Sequence, residues 1–321
     1  MREPGPGQVL VAVEGAGACH SDLHLMSWPE GQLPWKLPFT LGHENAGRVA
    51  AVGAGVTSYR RGDAVLVYGP WGCGACHPCR LGRENCCDNA SLLPASGGGL
   101  GLDGGMAEYM LVPSTRLLVP IGDLDPVLAA PLADAALTPY HAIAKARDRL
   151  VPGATAVVIG CGGLGQMAVQ LLRATTGANV IAVDTDERKA AIARKYGADL
   201  ARSPEEIRKI SGGGAHVVFD MVGAQSTLEL AAKSIRAEGR IVIVGLALST
   251  LPVSFFSVPY GAEVATSYWG TVTELMELVA LAKAKRLTLE VERYPLAMAP
   301  TVYDKLARGE ILGRAVITPH E

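Results

Sequence analysis

The stretch WGCGACHPCRLGRENCCDN constrains this chain more than any other part of it. Cys73, Cys76, Cys79 and Cys87 fall in the pattern C-x2-C-x2-C-x7-C, and four thiolates at that spacing suit a closed, tetrahedral zinc site. Between Gly72 and Asn89 the one large aliphatic side chain is Leu81. A lobe so poor in apolar surface cannot offset the entropy of ordering itself, so a metal ion is the expected source of its order. A second candidate set, Cys19 with the pair His43–Glu44, lies in GACHSDLH and LGHEN. A closed site holds structure, whereas a mixed thiolate–imidazole site with room for a further ligand performs chemistry. Together the two sets point to an enzyme with two zinc ions per chain, one catalytic and one structural.

Composition narrows the classes. At 321 residues the chain is long enough for two domains. A net charge of −2 without a long basic run argues against a nucleic-acid partner. No run of 18 apolar residues suggests a membrane span. The opening MREPGPGQ has no apolar core of a secretory signal. Seven cysteines could form disulfides in a secreted chain; without a signal they are expected to bind metal in a reducing cytoplasm.

The first third is strand-like, with QVLVAVE, AGRVAAV, DAVLVY and AEYMLV separated by turn residues; this predicts a compact β-barrel with irregular loops. From about residue 128, DPVLAAPLADAALTPYHAIAKARDRL has helical spacing. Strands (TAVVIG, NVIAVD, HVVFDMVG, RIVIVG, AEVATSYW) then alternate with helices (LGQMAVQLLRAT, DERKAAIARKYG, STLELAAKSIRAEG). That alternation is the signature of an α/β, doubly wound parallel sheet. TELMELVALAKAKR reads as one more helix, and short strands ending in GRAVITP return to the style of the opening barrel. The expected domains are 1–127 with 271–321, carrying the zinc lobe at about 72–89, and 128–270.

GCGGLG, Gly160 to Gly165, fits G-x-G-x-x-G at Gly160, Gly162 and Gly165, with Gly163 between them. The hexapeptide is weak alone; here it follows a predicted strand and opens a predicted helix. Such glycines permit a tight turn and close approach of a pyrophosphate, which the helix N-terminus favours. Asp184 lies 19 residues beyond Gly165, placed to accept from both ribose hydroxyls and to repel a 2′-phosphate, so NAD is expected over NADP. Cys161 inside the loop reads as a small side chain that fits; a helix N-terminus can also lower a thiol pKa, so reactivity stays open.

These motifs together resemble the zinc-containing medium-chain alcohol dehydrogenases over essentially the whole chain. GACHSDLH, LGHENAGRV, the four-cysteine lobe, PLADAALTPYHA and the Gly-rich loop carry the likeness. YGPWGCGACHPC, LTPYHAI and SYWGT bring it closest to bacterial NAD-dependent secondary-alcohol dehydrogenases. The resemblance implies a GroES-like catalytic domain plus a Rossmann domain, hydride transfer between NAD(H) and a small alcohol or ketone, and a homodimer or homotetramer. It implies catalytic zinc ligands at Cys19, His43 and Asp134, the last a residue that is Cys in many members. It makes Glu44 a carboxylate that approaches the metal transiently, and Asp22 the carboxylate that orients His43. It implies a proton relay through Ser21 to His24, cofactor contacts at His20, Thr138 and Arg314, and a substrate pocket to which Trp269 and Leu92 contribute. Cys87 takes the lobe's fourth position and Cys86 is a bystander.

Relatives carry a further strand or hairpin before PGPGQVLVAV, so an uncovered edge on the opening strand is expected. Competing readings are a zinc-free quinone or enoyl reductase, which lacks the Cys19/His43 ligands, a non-enzymatic dinucleotide-binding relative, and a polyol or aldehyde dehydrogenase of the same family.

Overall fold

β-Branched and small residues alternate through VLVAVEGAG, and the run forms β1 (Val9–Gly17). The computed structural model describes residues 3–29, 31 and 33–321. After β1 come α1 (His20–Ser27), β2 (Glu44–Val52), β3 (Ala64–Val67), β4 (Tyr109–Val112) and β5 (Leu118–Pro120). Next are α2 (Leu137–Lys145), β6 (Thr155–Ile159), α3 (Gly163–Thr175), β7 (Asn179–Val183), α4 (Glu187–Lys195), β8 (Asp199–Leu200) and α5 (Pro204–Ser211). β9 (Ala215–Asp220), α6 (Gln225–Ser234), β10 (Ile235–Ile243) and β11 (Glu263–Thr266) follow, and the chain closes with α7 (Val272–Lys283), β12 (Val291–Pro295), α8 (Ala299–Ala307) and β13 (Arg314–Thr318).

One unit runs to Leu137 and resumes at Gly270–Glu321; the other is Thr138–Trp269. The first boundary therefore falls ten residues later than the expected start at 128, and the second at 269 rather than 270. Packing explains the shift. The turns Pro126–Ala129 and Ala130–Ala133 lie hard against β1, where a Cβ on Gly15 would meet Val127 Cα at 2.9 Å and Ala130 Cβ at 3.3 Å.

The first unit holds a seven-stranded sheet ordered β12-β13-β1-β2-β3-β5, with β4 also paired to β1. The expected bare edge on β1 is absent. β2 covers one side, while β4 covers Val9–Ala12 and β13 covers Ala16–Gly17 on the other. The final strands thus return to the opening ones, and α8 stands between them where only strands were expected.

The second unit is a six-stranded parallel sheet ordered β8-β7-β6-β9-β10-β11. The direction of winding reverses between β6 and β9, and in such sheets a ligand crevice opens there beyond the strands' carboxyl ends. Its core is aliphatic, with Val157, Ile159, Ile181, Val218, Ile235 and Ile241 all buried. The tail IRAEG, expected as helix, belongs to β10, because α6 stops at Ser234 and Ile235 is already extended.

Candidate metal centre and nucleotide loop

The candidate catalytic set is drawn from three places in the first unit. Cys19 is the N-cap of α1, and Asp22, three residues on, accepts its backbone N–H at Oδ2 (3.1 Å). This reciprocal cap fixes the first helical turn and places the Cys19 sulfur at the N-terminus of α1. His43 immediately precedes β2, and its Nδ1 lies 3.0 Å from Asp22 Oδ1, leaving Nε2 for the metal.

Asp134 arrives by a break in what the sequence presents as continuous helix. Ala130–Ala133 is a 3-10 turn containing Pro131, and Asp134 adopts φ −140°, ψ −60° before α2 begins at Leu137. Proline removes a helical donor, and the interruption directs the carboxylate inward. Asp134 Oδ2 lies 3.7 Å from Cys19 Sγ and 3.6 Å from His43 Nε2.

These distances suit a metal. Donors 2.0–2.3 Å from one tetrahedral ion are separated by roughly 3.3–3.8 Å. One ligand atom each from Cys19, His43, Glu44 and Asp134 lies within 4.8 Å of all the others, and all four residues are buried. Cys19 and Asp134 are the residues that would supply anionic donors to a dication there.

Glu44 opens β2 opposite Gly17, where any Cβ would collide with its carboxylate at 2.1 Å. It pairs with Arg314 at the start of β13. Burial pushes Glu44 up to about 7 against the lowering pull of Arg314. Arg314, expected to contact a pyrophosphate, is buried and engaged with Glu44. Burial works against a charged His43, yet Asp22 and hydrogen bonding to Asp134, Asp22 and Cys19 lift its pKa well above the usual value.

Ser21 Oγ is 3.6 Å from Cys19 Sγ. His24, three residues further along α1, is exposed, so the two share a helix face. His20 is exposed, Thr138 is buried near the start of α2, Leu92 is exposed on a short turn, and Trp269 is buried in the second unit.

The lobe brings its four expected cysteines together, with Cys73–Cys79 and Cys76–Cys87 sulfur separations of 3.9 Å each. The backbone N–H of Cys76, with those of Ala75 and the Asn89 amide, lowers Cys73 to about 6. Burial pushes Cys79 up to about 12. Cys86 is exposed and stands outside the cluster. Arg116 braces the lobe from the β4–β5 connection: it binds Glu84 (2.7 Å) and the carbonyls of Trp71 and Gly72 (3.1 Å to the latter).

In the second unit, β6 runs into the Gly-rich loop. Gly160 takes φ +88°, which favours glycine. A Cβ on Gly165 would meet the Gly160 carbonyl oxygen at 1.8 Å. Gly162 caps α3 at an ordinary φ of −72°, and a Cβ there would touch nothing. The chain's own fold does not require glycine at 162, whereas a pyrophosphate lying on the loop does; Gly163 opens α3 beside it. Asp184, just past β7, accepts from the backbone N–H of Cys161 (2.6 Å) and of Asp186 (2.8 Å), and a carboxylate retains acceptor capacity beyond two bonds.

Cys161 itself is fully buried, and burial together with the charge of Asp184 pushes its thiol up to about 12. This removes the reactive reading. At pH 8 the thiolate fraction is on the order of 10⁻⁴. Peptide-resolved iodoacetamide labelling is expected to mark exposed Cys86 and spare Cys161 with or without NAD; NAD-sensitive labelling of Cys161 would contradict the burial.

Residues 5–123 match the alcohol dehydrogenase GroES-like domain, and residues 163–284 match the zinc-binding dehydrogenase domain. The chain belongs to the zinc-containing alcohol dehydrogenase family, whose fold joins a GroES-like domain to a Rossmann domain, and it is an oxidoreductase. It is 37% identical to an NAD-dependent alcohol dehydrogenase of Sulfurisphaera tokodaii, covering 99% of this chain and 94% of that one. The alcohol dehydrogenase of Aeropyrum pernix superposes with a TM-score of 0.91 at 36% identity, over 99% of this chain and 94% of the other. An acetophenone reductase of Geotrichum candidum, solved with NAD, gives 0.88 at 34% identity, over 99% and 91%.

Proposed function

We propose that this enzyme moves a hydride between NAD(H) and secondary alcohols or their ketones, with Cys19, His43 and Asp134 holding the catalytic zinc. The observation that carries this is the convergence of one thiolate, one imidazole and one carboxylate at tetrahedral spacing. The name of the Geotrichum relative, a reductase of an aryl ketone, supports the secondary-alcohol preference. When bound, zinc supplies Lewis acidity towards the alcohol oxygen and NAD supplies the hydride acceptor.

The chain's residues do the rest. Asp22 holds His43 in the tautomer that presents Nε2 towards Asp134. Ser21 takes the hydroxyl proton, and exposed His24 on the same face of α1 passes it to solvent. In the second unit Gly160, Gly162, Gly163 and Gly165 seat the pyrophosphate, Thr138 packs beside the nicotinamide, Asp184 receives the ribose hydroxyls, and Trp269 contributes to the substrate pocket. Glu44 serves as a transient fourth ligand.

A homo-oligomer suits the exposed apolar segment Leu246, Leu248, Phe255, Phe256 and Tyr260 beside edge strand β11. Seven free cysteines suit a reducing cytoplasm, and no described helix is long and apolar enough to cross a membrane.

The test is an absorbance assay of NAD(H) turnover across primary and secondary alcohols, ketones, aldehydes and polyols. Secondary alcohols or ketones are expected to give the highest kcat/KM; preference for aldehydes or polyols would replace this reading. In the same assay Asp184→Ala is expected to raise the KM for NAD by about 10–100-fold, the worth of one or two hydrogen bonds to a charged acceptor. An unchanged KM would remove the ribose role.

A further inference from the structure

We infer that Tyr303 is a positioning residue of the catalytic metal centre: its phenol holds the Asp22 carboxylate that aims His43. The inference rests on Cys19, His43 and Asp134 being that centre. Tyr303 lies on α8, 281 residues along the chain from Asp22, and its Oη–H donates to Asp22 Oδ2 at 2.8 Å.

Asp22 is wholly buried, and every neighbour it has in this network is a donor. Oδ2 accepts from the Cys19 backbone N–H (3.1 Å) and from the Tyr303 hydroxyl (2.8 Å), while Oδ1 faces His43 Nδ1 at 3.0 Å. A buried carboxylate requires its acceptor sites filled, and the phenol is the shorter of the two partners on Oδ2. The hydroxyl stays protonated: burial, followed by the negative charge of Asp22, raises its pKa far above the usual value.

The bond has two consequences for the ligand. It stops the carboxylate from rotating about its own axis, and so fixes the line along which His43 is held. It also draws charge towards Oδ2, which moderates the pull of Oδ1 on the imidazole N–H. Partners behind a metal-bound histidine set ligand orientation and basicity, and their loss typically weakens metal binding by about 10–100-fold. Tyr303 acts one bond further out than Asp22, so the lower end of that range applies.

Tyr303→Phe keeps the ring and removes only the donor. In the two-zinc enzyme, chelator-driven release is expected to be about tenfold faster for the catalytic ion and unchanged for the ion of the four-cysteine lobe. With cobalt in the catalytic position, the visible absorption bands are expected to shift, because the ligand field follows the orientation and basicity of His43. A purely packing role for the phenol moves neither reading. Wild-type release of both metals with an unaltered cobalt spectrum overturns the inference, as does equal acceleration of both metals. If the wild-type chain binds only the lobe metal, it is the assignment of the catalytic centre that fails.

Discussion

Asp134→Ala is expected to leave the lobe metal in place, empty the catalytic site, and lower alcohol turnover by at least about 10³-fold. Cys19 and Asp134 supply the two negative donors that neutralise a dication among buried side chains, and His43 supplies none. Removing Asp134 leaves a net positive charge in a setting with little water, which is strongly unfavourable. Geometry acts in the same direction, because Asp134 lies 3.6 and 3.7 Å from His43 and Cys19, a spacing that suits neighbouring donors around one tetrahedral ion. Asp134→Cys restores both anion and reach, so it is expected to bind two zinc ions and recover much of the activity. Metal counting by elemental analysis separates the outcomes. An Asp134→Ala chain that still holds two zinc ions and turns over normally would remove Asp134 from the centre.

Cys79→Ser should cost stability rather than chemistry. The lobe has four thiols for one ion, a single braced base at Arg116, and an exposed Leu81 as its large aliphatic side chain. Almost no apolar burial remains to hold it once the ion is gone, and structural zinc carries folding free energy directly. The variant is expected to bind one zinc and to melt about 10 °C or more lower, since each kcal/mol lost shifts a chain of this size by a few degrees. Cys86→Ser is the matched control, expected to keep both ions and the parental melting temperature. If Cys79→Ser melts with the parent while retaining two ions, the closed four-thiolate site is wrongly assigned.

Much of this was legible locally. The lobe cysteines sit within one short segment, and the Gly-rich turn lies between a strand and a helix that each show their own period. Cys19 and His43 are readable as ligand types, although nothing in their spacing says that they meet. Asp134 is different. Helical periodicity runs straight through residues 126–149, and only the fold shows the chain breaking there to turn one carboxylate inward. Tyr303 left no signal, because its partner is 281 residues away and a single tyrosine in a short helix looks like ordinary packing. The domain boundary slipped for a related reason: the run of small residues after Pro126 is apolar enough for either unit, and contact with Gly15 decides the matter.

The two metal centres also differ in when they can exist. The lobe's ligands leave the ribosome almost together, so that site can capture its ion while most of the chain is still unmade. The other centre draws its donors from positions 115 residues apart and is braced by side chains on α8 and β13. Its donors are all made by residue 134, but the side chains that brace it follow only when synthesis is nearly finished. The local site can thus form early, whereas the dispersed one is fully supported only in the finished chain.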